Sequence, residues 1–414
     1  LAQQIEKMPT GFAYVLNLCE NRYAFCLGFS AALAKKYPVL LPLNRKTAII
    51  LELLQQYPNT LCLVDHPRAD LSHVAQFQIN LPDLNWCCSA TELSIPNIDA
   101  NQIAVIVFTS GSTGEAQAQV KRWGQLVQGA KMAQASLVVP EQAAIMGMVA
   151  AQHLFGLETT LIWPMQTGRA FYIGQPYLLA DITAQLSHSS APTILVSTPL
   201  QLKSLLNFAY TPQLVAILSA TMPFDATLAQ ALVKNCPCNL IDIYGSSETG
   251  MFAQRAPHQS QIWTLLHGAT LIKQQNSLFL ESPLLAQPYA LQDKISMLDE
   301  THFYAQGRQE DMIKIAGKRT SLAALNQVLL AIDGVEDGVF YLPEQASRLT
   351  AYVVAPQLSL STVRHALSQK IDPVFLPRPL YKVSTLPRSG VGKLAQSDLQ
   401  DLFVTLQAES RQRV

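Results

Sequence analysis

The stretch Ile103-Ala-Val-Ile-Val107-Phe-Thr-Ser-Gly-Ser-Thr-Gly114 joins an apolar, β-branched run to a loop that contains two glycines and four hydroxyl residues. The apolar run predicts a buried strand. Glycines allow a loop backbone to approach a ligand closely, and hydroxyl groups donate hydrogen bonds to phosphate oxygens. The Gly-x-x-x-x-Gly-Lys-Ser/Thr pattern of a Walker A motif is absent from this loop. The stretch therefore favours a polyphosphate site over the alternative, a solvent-exposed Ser/Gly turn.

The composition indicates a large, well-buried protein. A chain of 414 residues has room for two or three domains. Only 14% of the residues are charged and the mean hydropathy is +0.17, values that favour an α/β enzyme over a disordered scaffold. Lys and Arg together number 29, as do Asp and Glu, so the net charge does not indicate a nucleic-acid or anionic-membrane partner.

The cysteines and one apolar segment bear on the cellular compartment. Cys87-Cys88 and Cys236-Pro-Cys238 are predicted to be buried or turn residues, because their spacing is not that of a zinc ribbon. Seven cysteines, an odd number, in a chain without a recognisable signal peptide predict a reducing cytoplasm. Residues 143–163 are largely apolar but include polar side chains that are costly in lipid, so a buried strand and helix are expected there and no membrane span.

Apolar β-type runs alternate with helical stretches along much of the chain. This alternation predicts an α/β fold whose large N-terminal domain has doubly wound, mostly parallel sheets, with ligands at the carboxyl ends of the strands. The predicted strands are Thr47–Leu51, Thr60–Val64, Ile103–Val107, Thr193–Val196, Leu214–Leu218 and Leu240–Ile243. The predicted helices are Trp123–Gln134, Pro199–Asn207 and Asp225–Lys234. Residues 261–306 are expected to add a small antiparallel sheet.

A second unit is expected from about Gln309 onward. The predicted division is a large domain over residues 1–308 and a small, mobile α+β C-terminal domain over residues 309–414. The elements expected in the small domain are the helix Leu322–Ala331, the strands Gly338–Leu342 and Thr350–Val354, the helix Leu360–Lys370 and the strand Leu380–Val383.

Five motifs resemble, in the same order, those of the adenylate-forming superfamily of acyl- and aryl-CoA synthetases, carrier-protein ligases and peptide-synthetase adenylation domains. They are Thr109-Ser-Gly-Ser-Thr-Gly114, Gln152-His-Leu-Phe-Gly156, Tyr244-Gly-Ser-Ser-Glu-Thr-Gly250, Gly307-Arg-Gln-Glu-Asp311 with Lys314-Ile-Ala-Gly317, and Pro387-Arg-Ser-Gly-Val-Gly-Lys393. The resemblance implies an AMP-forming acid–thiol ligase. A carboxylate would attack the α-phosphate of ATP, and a phosphopantetheine thiol of CoA or an acyl carrier protein would then displace AMP. About one hundred residues precede the first motif, fewer than the family usually has, so a shortened N-terminal subdomain is expected.

The resemblance also implies which residues bind the nucleotide and its metal. Glu248 matches the family's Mg²⁺-binding glutamate, and a hard cation that bridges phosphates needs only one or two carboxylates. Tyr244 would stack on the adenine, and Asp242 would accept a hydrogen bond from the adenine amino group. The alternative is a Tyr-Gly turn capped by the glutamate. The nucleotide-binding residues implied are Thr109, Ser110, Gly111, Ser112, Thr113, Gly114, Lys121, Asp242, Tyr244, Gly245, Ser247, Asp293 and Arg308.

Further roles are implied for the region around residue 300 and for the C-terminal loop. Asp293 lies 15 residues before Arg308, the family's interval for a carboxylate that binds both ribose hydroxyls; Asp299 is the alternative, but a turn is predicted there. Arg308 would contact the ribose or the phosphates, and Glu310 would occupy the hinge. Lys393 would reach the substrate carboxylate and the α-phosphate during adenylation and be withdrawn afterwards. A solvated lysine in a glycine turn is the alternative.

The acid pocket is implied by two segments. His153, Phe155 and Gly156 match the segment that lines the carboxylate pocket, and His153 is a candidate catalytic residue together with Glu248 and Lys393. The alternative for His153 is a satisfied core residue. The wall Ser219-Ala-Thr221 replaces a glycine-rich segment of the family, so a smaller or flatter acyl or aryl acid is expected. Peptide-synthetase domains carry an Asp near His153; this chain offers only Glu158 there, which disfavours an amino-acid substrate.

The chain departs from the family at two places. The basic residue that usually follows the phosphate loop is replaced by Gln117, and Lys121 is the first one available for the leaving pyrophosphate. The thiol channel retains Gly317 and Arg319 but not the usual acidic segment after them.

Because of its length and its displaced lysine, the chain also resembles ligases that load aryl acids onto acyl carrier proteins in aryl-polyene pigment pathways. A silent nucleotide-binding protein of the same fold and an adenylating enzyme with a non-thiol acceptor remain alternatives.

Overall fold

The computed structural model describes residues 2–42, 45–81, 96–110, 116–176, 178–188, 190–208, 210–275, 277–308, 312–315, 318–343, 346, 348–389, 392 and 394–412. The chain divides into two compact units. Unit 1 comprises Leu1–Tyr289 with Glu300–His302, and unit 2 comprises Ala290–Asp299 with Phe303–Val414. The predicted boundary at residue 308 stays a prediction.

The described residues of unit 1 form a first sheet of six strands in the order β4-β3-β1-β2-β5-β6. The strands are β1 (Tyr14–Asn17), β2 (Val39–Leu41), β3 (Thr60–Val64), β4 (Gln76–Gln78), β5 (Ile103–Ser110) and β6 (Ala116–Arg122). All neighbours are parallel except β5 and β6, which form an antiparallel hairpin. The helices of this part are α1 (Ala2–Lys7), α2 (Arg22–Ala34), α3 (Thr47–Gln56) and α4 (Trp123–Ser136).

The second sheet of unit 1 runs β7-β8-β9-β10 in parallel and continues antiparallel through β11 and β12. These strands are β7 (Ala144–Gly147), β8 (Thr193–Ser197), β9 (Leu214–Ser219), β10 (Asn239–Ser246), β11 (Gly250–Arg255) and β12 (Ile262–Leu265). The helices are α5 (Leu154–Leu157), a π-helix (Glu158–Ile162), α6 (Trp163–Thr167), α7 (Leu179–Ser187), α8 (Pro199–Leu202) and α9 (Ala226–Asn235). The small antiparallel pair β13 (Thr270–Gln274) and β14 (Ser277–Glu281) completes the predicted pattern, followed by β15 (Tyr289–Ala290).

One buried core joins the two sheets of unit 1. Side chains from the first sheet, such as Val15 and Val105, share an apolar cluster with Ile145 and Leu218 of the second sheet. Trp163, fully buried, belongs to the same cluster. Parallel strands covered on both faces are apolar along their whole length, which explains why these runs were recognisable as strands.

Unit 2 contains two hairpins and a small mixed sheet. Its elements are β16 (Asp293–Met297), β17 (His302–Arg308), β18 (Met312–Ile315), β19 (Lys318–Ser321), α10 (Leu322–Leu330), β20 (Asp337–Tyr341), β21 (Thr350–Val354), α11 (Leu360–Ser368), β22 (Leu380–Lys382) and α12 (Gln396–Gln412). Strand β21 pairs antiparallel with β20 and parallel with β22. The α+β class predicted for this region is confirmed.

One predicted strand is wrong. The run Thr47–Leu51 begins helix α3 and not a strand. Its β-branched residues suggested a strand, but the apolar positions continue at helical spacing, and Ile50 and Leu53 are buried on one face. Among the described residues, no helix combines the length and apolar composition needed to span a membrane. The segment 143–163 forms β7 and then helices, as expected.

Candidate active site

The Tyr244–Gly250 motif forms the turn between β10 and β11, and its geometry explains both glycines. Ser246 and Thr249 close the turn through hydrogen bonds from the Ser246 amide to Thr249 Oγ1 (3.0 Å) and from the Thr249 amide to Ser246 Oγ (3.2 Å). A Cβ on Gly245 would lie 2.3 Å from the carbonyl oxygen of Gly250, and Gly250 itself has a φ of +68°. Neither position tolerates a side chain easily. The turn therefore presents Glu248, half-buried, in a fixed backbone frame.

Tyr244 lies on an aromatic support. Its ring packs edge-on against Phe252 (centroids 5.3 Å apart) and at a tilt against Trp263 (4.8 Å). The guanidinium of Arg255 covers Trp263 at 4.3 Å from the ring centroid. The half-buried Tyr244 thus has a preset ring orientation, which suits stacking on a planar ligand. Sequence reasoning missed Trp263 and Arg255, because their positions follow only from the register of β10, β11 and β12.

Asp242 is buried opposite Arg255 in the β10–β11 ladder. Its Oδ2 accepts from Arg255 Nε and lies 2.9 Å from that atom and from Nη2. Burial raises the pKa of Asp242 to about 7, although the charge and hydrogen bonds of Arg255 lower it. The predicted contact of Asp242 with the adenine amino group stays a prediction. The observed role of the carboxylate is to orient Arg255, and through it the aromatic support.

The phosphate loop occupies the tip of the β5–β6 hairpin. Thr109 and Ser110 end β5, and their backbone pairs with Gln117 and Ala116 of β6. The loop residues Gly111, Ser112, Thr113 and Gly114 lie outside the described residues. The expected strand before the loop is confirmed, while the phosphate contacts stay predictions.

Lys121 lies on β6 and is 5% exposed. Its Nζ donates to the backbone carbonyl of Glu248 at 2.8 Å. Burial lowers the pKa of Lys121, whereas the negative charges of Glu158 and Glu248 raise it. The ammonium group therefore contacts the turn that carries the predicted metal ligand, and its predicted contact with pyrophosphate stays a prediction.

Glu158, which the sequence indicated only as a substitute for an aspartate, begins the π-helix and is 7% exposed. A Cβ built on Gly250 would lie 3.4 Å from Glu158 Oε1, so the carboxyl group lies beside the end of the same turn. Burial raises the pKa of Glu158 to about 7, and the charge of Lys121 lowers it. π-Helical turns occur frequently at functional sites. The π-helix is attached to β7 through Arg22, which donates to Thr160 Oγ1 and to the Gly147 carbonyl.

The predicted pocket residues His153, Phe155 and Gly156 surround the start of α5. His153 is the residue that precedes α5 and is half-buried, while Phe155 is buried in the core. A Cβ on Gly156 would lie 2.0 Å from the Ala150 carbonyl oxygen, so this glycine is required by a close backbone approach. Their roles toward a substrate stay predictions.

The second predicted wall follows β9. Ser219 ends this strand and is fully buried next to β10, opposite Asp242 in the ladder. Ala220 is buried, and Thr221 adopts a φ of +79°. That left-handed conformation favours glycine and is rare for a β-branched residue. The wall therefore keeps a glycine-type backbone although Thr221 carries a side chain.

In unit 2, the two predicted ribose ligands are neighbours. Asp293 and Arg308 are directly opposite each other in the antiparallel β16–β17 pair. Arg319 lies on β19, opposite Lys314. The residues Glu310, Gly317 and Lys393 lie outside the described residues, so the hinge, channel and catalytic-lysine assignments stay predictions.

The loop that precedes Lys393 is anchored by Arg388. This guanidinium contacts both oxygens of Asp337, from Nε and Nη2, at 2.7 Å each. Its Nη1 donates to the carbonyl of Gly392 at 2.6 Å. The side chains of Arg388 and Asp337 are only 12% and 15% exposed. Sequence reasoning placed Arg388 in the motif but did not identify Asp337 as its partner.

The side chains of the site are compatible with a Mg²⁺ ion whose coordinating oxygens come mainly from bound phosphates and waters. Among the described residues, no three His, Cys, Asp or Glu side chains group closely enough to form a metal cage. Mg²⁺ usually takes one or two carboxylates together with phosphate oxygens and waters, so the single half-buried Glu248 is sufficient.

Comparisons with known proteins show the family to which the chain belongs. Residues 9–272 match the family model described as AMP-binding enzyme. The 4-coumarate–CoA ligase of Rhodobacter capsulatus is 30% identical over 263 residues, and the match spans 61% of this chain and 64% of that enzyme, less than two thirds of its length. Structural similarity extends further along the chain.

The O-succinylbenzoate–CoA synthetase of Bacillus subtilis, solved with AMP, superposes with a TM-score of 0.80 at 17% identity, covering 96% of this chain and 90% of that one. The anthranilate–CoA ligase AuaEII, solved with anthranoyl-AMP, superposes with a TM-score of 0.76 at 15% identity, covering 97% and 89%. At these identities the superpositions establish the fold only, whereas the family model matches more than half of the chain. The chain therefore belongs to the AMP-binding enzyme family, within the adenylate-forming superfamily.

Proposed function

We propose that the protein is an ATP-dependent acid–thiol ligase. The observation that carries this proposal is the β10–β11 turn, which presents a supported aromatic ring at Tyr244 and a carboxylate at Glu248 four residues later. The ring suits stacking on a planar base, and the carboxylate suits a metal ion that also binds a phosphate chain. Membership of the AMP-binding family supports the nucleotide assignment.

The proposed reaction has two steps. A carboxylate oxygen of the acid attacks the α-phosphorus of ATP, and the bond from that phosphorus to pyrophosphate breaks. A thiol sulfur then attacks the acyl carbon, the bond from that carbon to AMP breaks, and the thiol proton goes to solvent. Lys393 neutralises charge on the acid and the α-phosphate in the first step only. His153 orients the acid carboxylate, while Asp293 and Arg308 bind the ribose.

Glu248 would hold Mg²⁺ against the phosphates. The ion would supply charge neutralisation for the departing pyrophosphate. The protein's contribution is the rigid turn, since Ser246 and Thr249 fix the backbone on either side of this side chain.

The proposed substrate is a small or flat acyl or aryl acid. The wall at Ala220 and Thr221 carries side chains where a glycine-rich segment would leave space, and this narrows the pocket. Glu158 lies beside Gly250 within a buried cluster with Lys121, so it is engaged within the protein and is a poor partner for a substrate amine. Both features disfavour a large acid or an amino acid.

The proposed acceptor is the phosphopantetheine thiol of an acyl carrier protein, in preference to free CoA. A carrier protein brings an acidic surface and a tethered thiol, so basic residues at the rim, such as Lys318 and Arg319, are sufficient for its recognition. The named relatives act with CoA, which makes CoA the competing acceptor. The five described cysteines are free thiols, consistent with a reducing cytoplasm as the proposed location.

The test begins with release of pyrophosphate, measured with Mg²⁺-ATP over a panel of aryl and short acyl acids. Release that depends on one class of acid, and that Glu248→Gln reduces at least tenfold, is the expected result. The preferred acid is then offered with CoA and holo-carrier protein together. Turnover of micromolar CoA without labelling of a carrier protein would reject the acceptor, and absence of any acid-dependent release would favour the silent-protein alternative.

A further inference from the structure

Two buried charged side chains flank the turn that carries Glu248, and neither belongs to the turn. Lys121 comes from the β5–β6 hairpin of the first sheet, and Glu158 comes from the π-helix of the second. Lys121 Nζ donates to the Glu248 carbonyl at 2.8 Å. Glu158 Oε1 lies 3.4 Å from the position of a Cβ on Gly250.

We propose that Lys121 and Glu158 are positioning residues, which hold the Ser246–Gly250 turn so that the Glu248 carboxylate faces the bound metal and phosphates. The metal part of this inference rests on the proposed function. The geometry supports it because the buried ammonium group of Lys121, at 5% exposure, donates to the backbone of Glu248, the proposed metal ligand itself.

The hydrogen bonds within the turn leave one part of it to an outside group. Side chains of Ser246 and Thr249 close the turn, but these bonds do not involve the Glu248 carbonyl, which accepts from Lys121 of the first sheet. Lys121 fixes the carbonyl of Glu248 from one side. Glu158 packs a carboxylate oxygen against the other end of the turn, where a Cβ on Gly250 would lie 3.4 Å from Oε1.

The alternative to positioning is that Lys121 binds the phosphates of ATP directly, and measurements of ATP binding with and without Mg²⁺ separate these two roles. If Lys121 instead binds the phosphates directly, its loss weakens ATP binding even without a divalent cation. Replacement of Glu158 would then leave ATP binding unchanged or stronger, because a competing carboxylate is removed. In the positioning role, both replacements act through Glu248, so both raise the Mg²⁺ requirement and neither affects metal-free ATP binding.

The experiment compares Lys121→Met and Glu158→Gln with two matched controls on exposed helical surfaces, Lys131→Met and Glu52→Gln. The first readout is hydrogen exchange of the ligand-free proteins in peptides that cover residues 244–251. The test variants are expected to exchange about tenfold faster there, while the controls match the wild type. The Glu158→Gln variant keeps the shape of the side chain and serves if Lys121→Met does not fold.

The second readout is ATP binding measured by calorimetry, with Mg²⁺ titrated and with EDTA. We expect the half-saturating Mg²⁺ concentration to rise about tenfold in both variants and binding in EDTA to stay unchanged. Weaker binding in EDTA for Lys121→Met alone, or unchanged exchange in the turn, would overturn the positioning role. If the wild type releases no pyrophosphate with any acid but the turn exchanges faster in both variants, the proposed function fails while the support of the turn by Lys121 and Glu158 stands.

Discussion

Replacement of Arg388 by Met is expected to slow adenylation without removing any group that touches the substrates. Arg388 contacts Asp337 through two hydrogen bonds of 2.7 Å and donates to the Gly392 carbonyl at 2.6 Å. Gly392 directly precedes Lys393, the proposed charge partner of the α-phosphate. The effect of Arg388 on the reaction would therefore pass through the placement of Lys393.

The magnitude follows from the hydrogen bond to Gly392. A hydrogen bond from a charged donor contributes about 1.5–3 kcal/mol, and the 12% exposure of Arg388 leaves little solvent to replace it. A loss of about 2 kcal/mol lowers the population of the conformation that this contact with Gly392 stabilises about 30-fold, at 1.36 kcal/mol per factor of ten. Arg388→Met should thus reduce the single-turnover rate of acyl-adenylate formation about 30-fold, and Asp337→Asn should reduce it in the same direction.

The decisive assay is a double-mutant cycle with Lys393→Ala. Because Arg388 acts only by placing Lys393, adding Arg388→Met to Lys393→Ala should cause no further loss of rate. Arg364→Met, on the exposed face of α11, is the matched control. Multiplicative losses in the double variant, or a wild-type rate in Arg388→Met, would refute the reasoning.

Three further predictions concern Lys393, Thr221 and Glu158. Lys393→Ala should cut adenylation on the order of a hundredfold but leave thioester formation from presynthesised adenylate nearly intact; equal losses in the two half-reactions would contradict a role limited to the first. Thr221→Gly should raise the free energy of unfolding, measured in urea, by up to about 1 kcal/mol, because relief of the left-handed conformation is partly offset by the backbone entropy of glycine. The variant should also accept bulkier acids, and a lower stability than the wild type would show that the backbone of Thr221 is not strained. Burial raises the pKa of Glu158 from its ordinary value of 4.5 to about 7, so between these pH values the folded protein binds more protons than the unfolded chain. The free energy of unfolding therefore falls as the pH rises through this window, by at most about 3 kcal/mol. Relative to wild type, Glu158→Gln should therefore gain stability from pH 4.5 to 7 in urea unfolding, and a pH-independent difference would contradict the raised pKa.

The parts of the fold that the sequence predicted correctly are those with strong local signals. Largely apolar runs such as Thr193–Val196 and Leu214–Leu218 are strands because both faces of the sheet are covered. The run Thr47–Leu51 has similar composition but continues at helical spacing, with Ile50 and Leu53 on the buried face of α3. Five residues of β-branched and apolar character are too few to separate these cases, and the deciding information lay in the next turn of the helix.

In the candidate site, too, the sequence reveals the local motifs but not the contacts between residues that lie far apart in the chain. The Tyr244–Gly250 motif and the interval between Asp293 and Arg308 were recognisable in the sequence, whereas the β10–β11 turn and the pairing of Asp293 with Arg308 across β16 and β17 follow from the structure. The contact of Lys121 with Glu248 spans 127 positions and joins two different sheets. From the sequence, Lys121 is the first basic residue after the phosphate loop and is therefore predicted to contact the leaving pyrophosphate. Only packing places its ammonium group on the turn that carries Glu248, so the sequence predicts a contact of Lys121 with pyrophosphate, whereas the structure shows a contact with the Glu248 carbonyl.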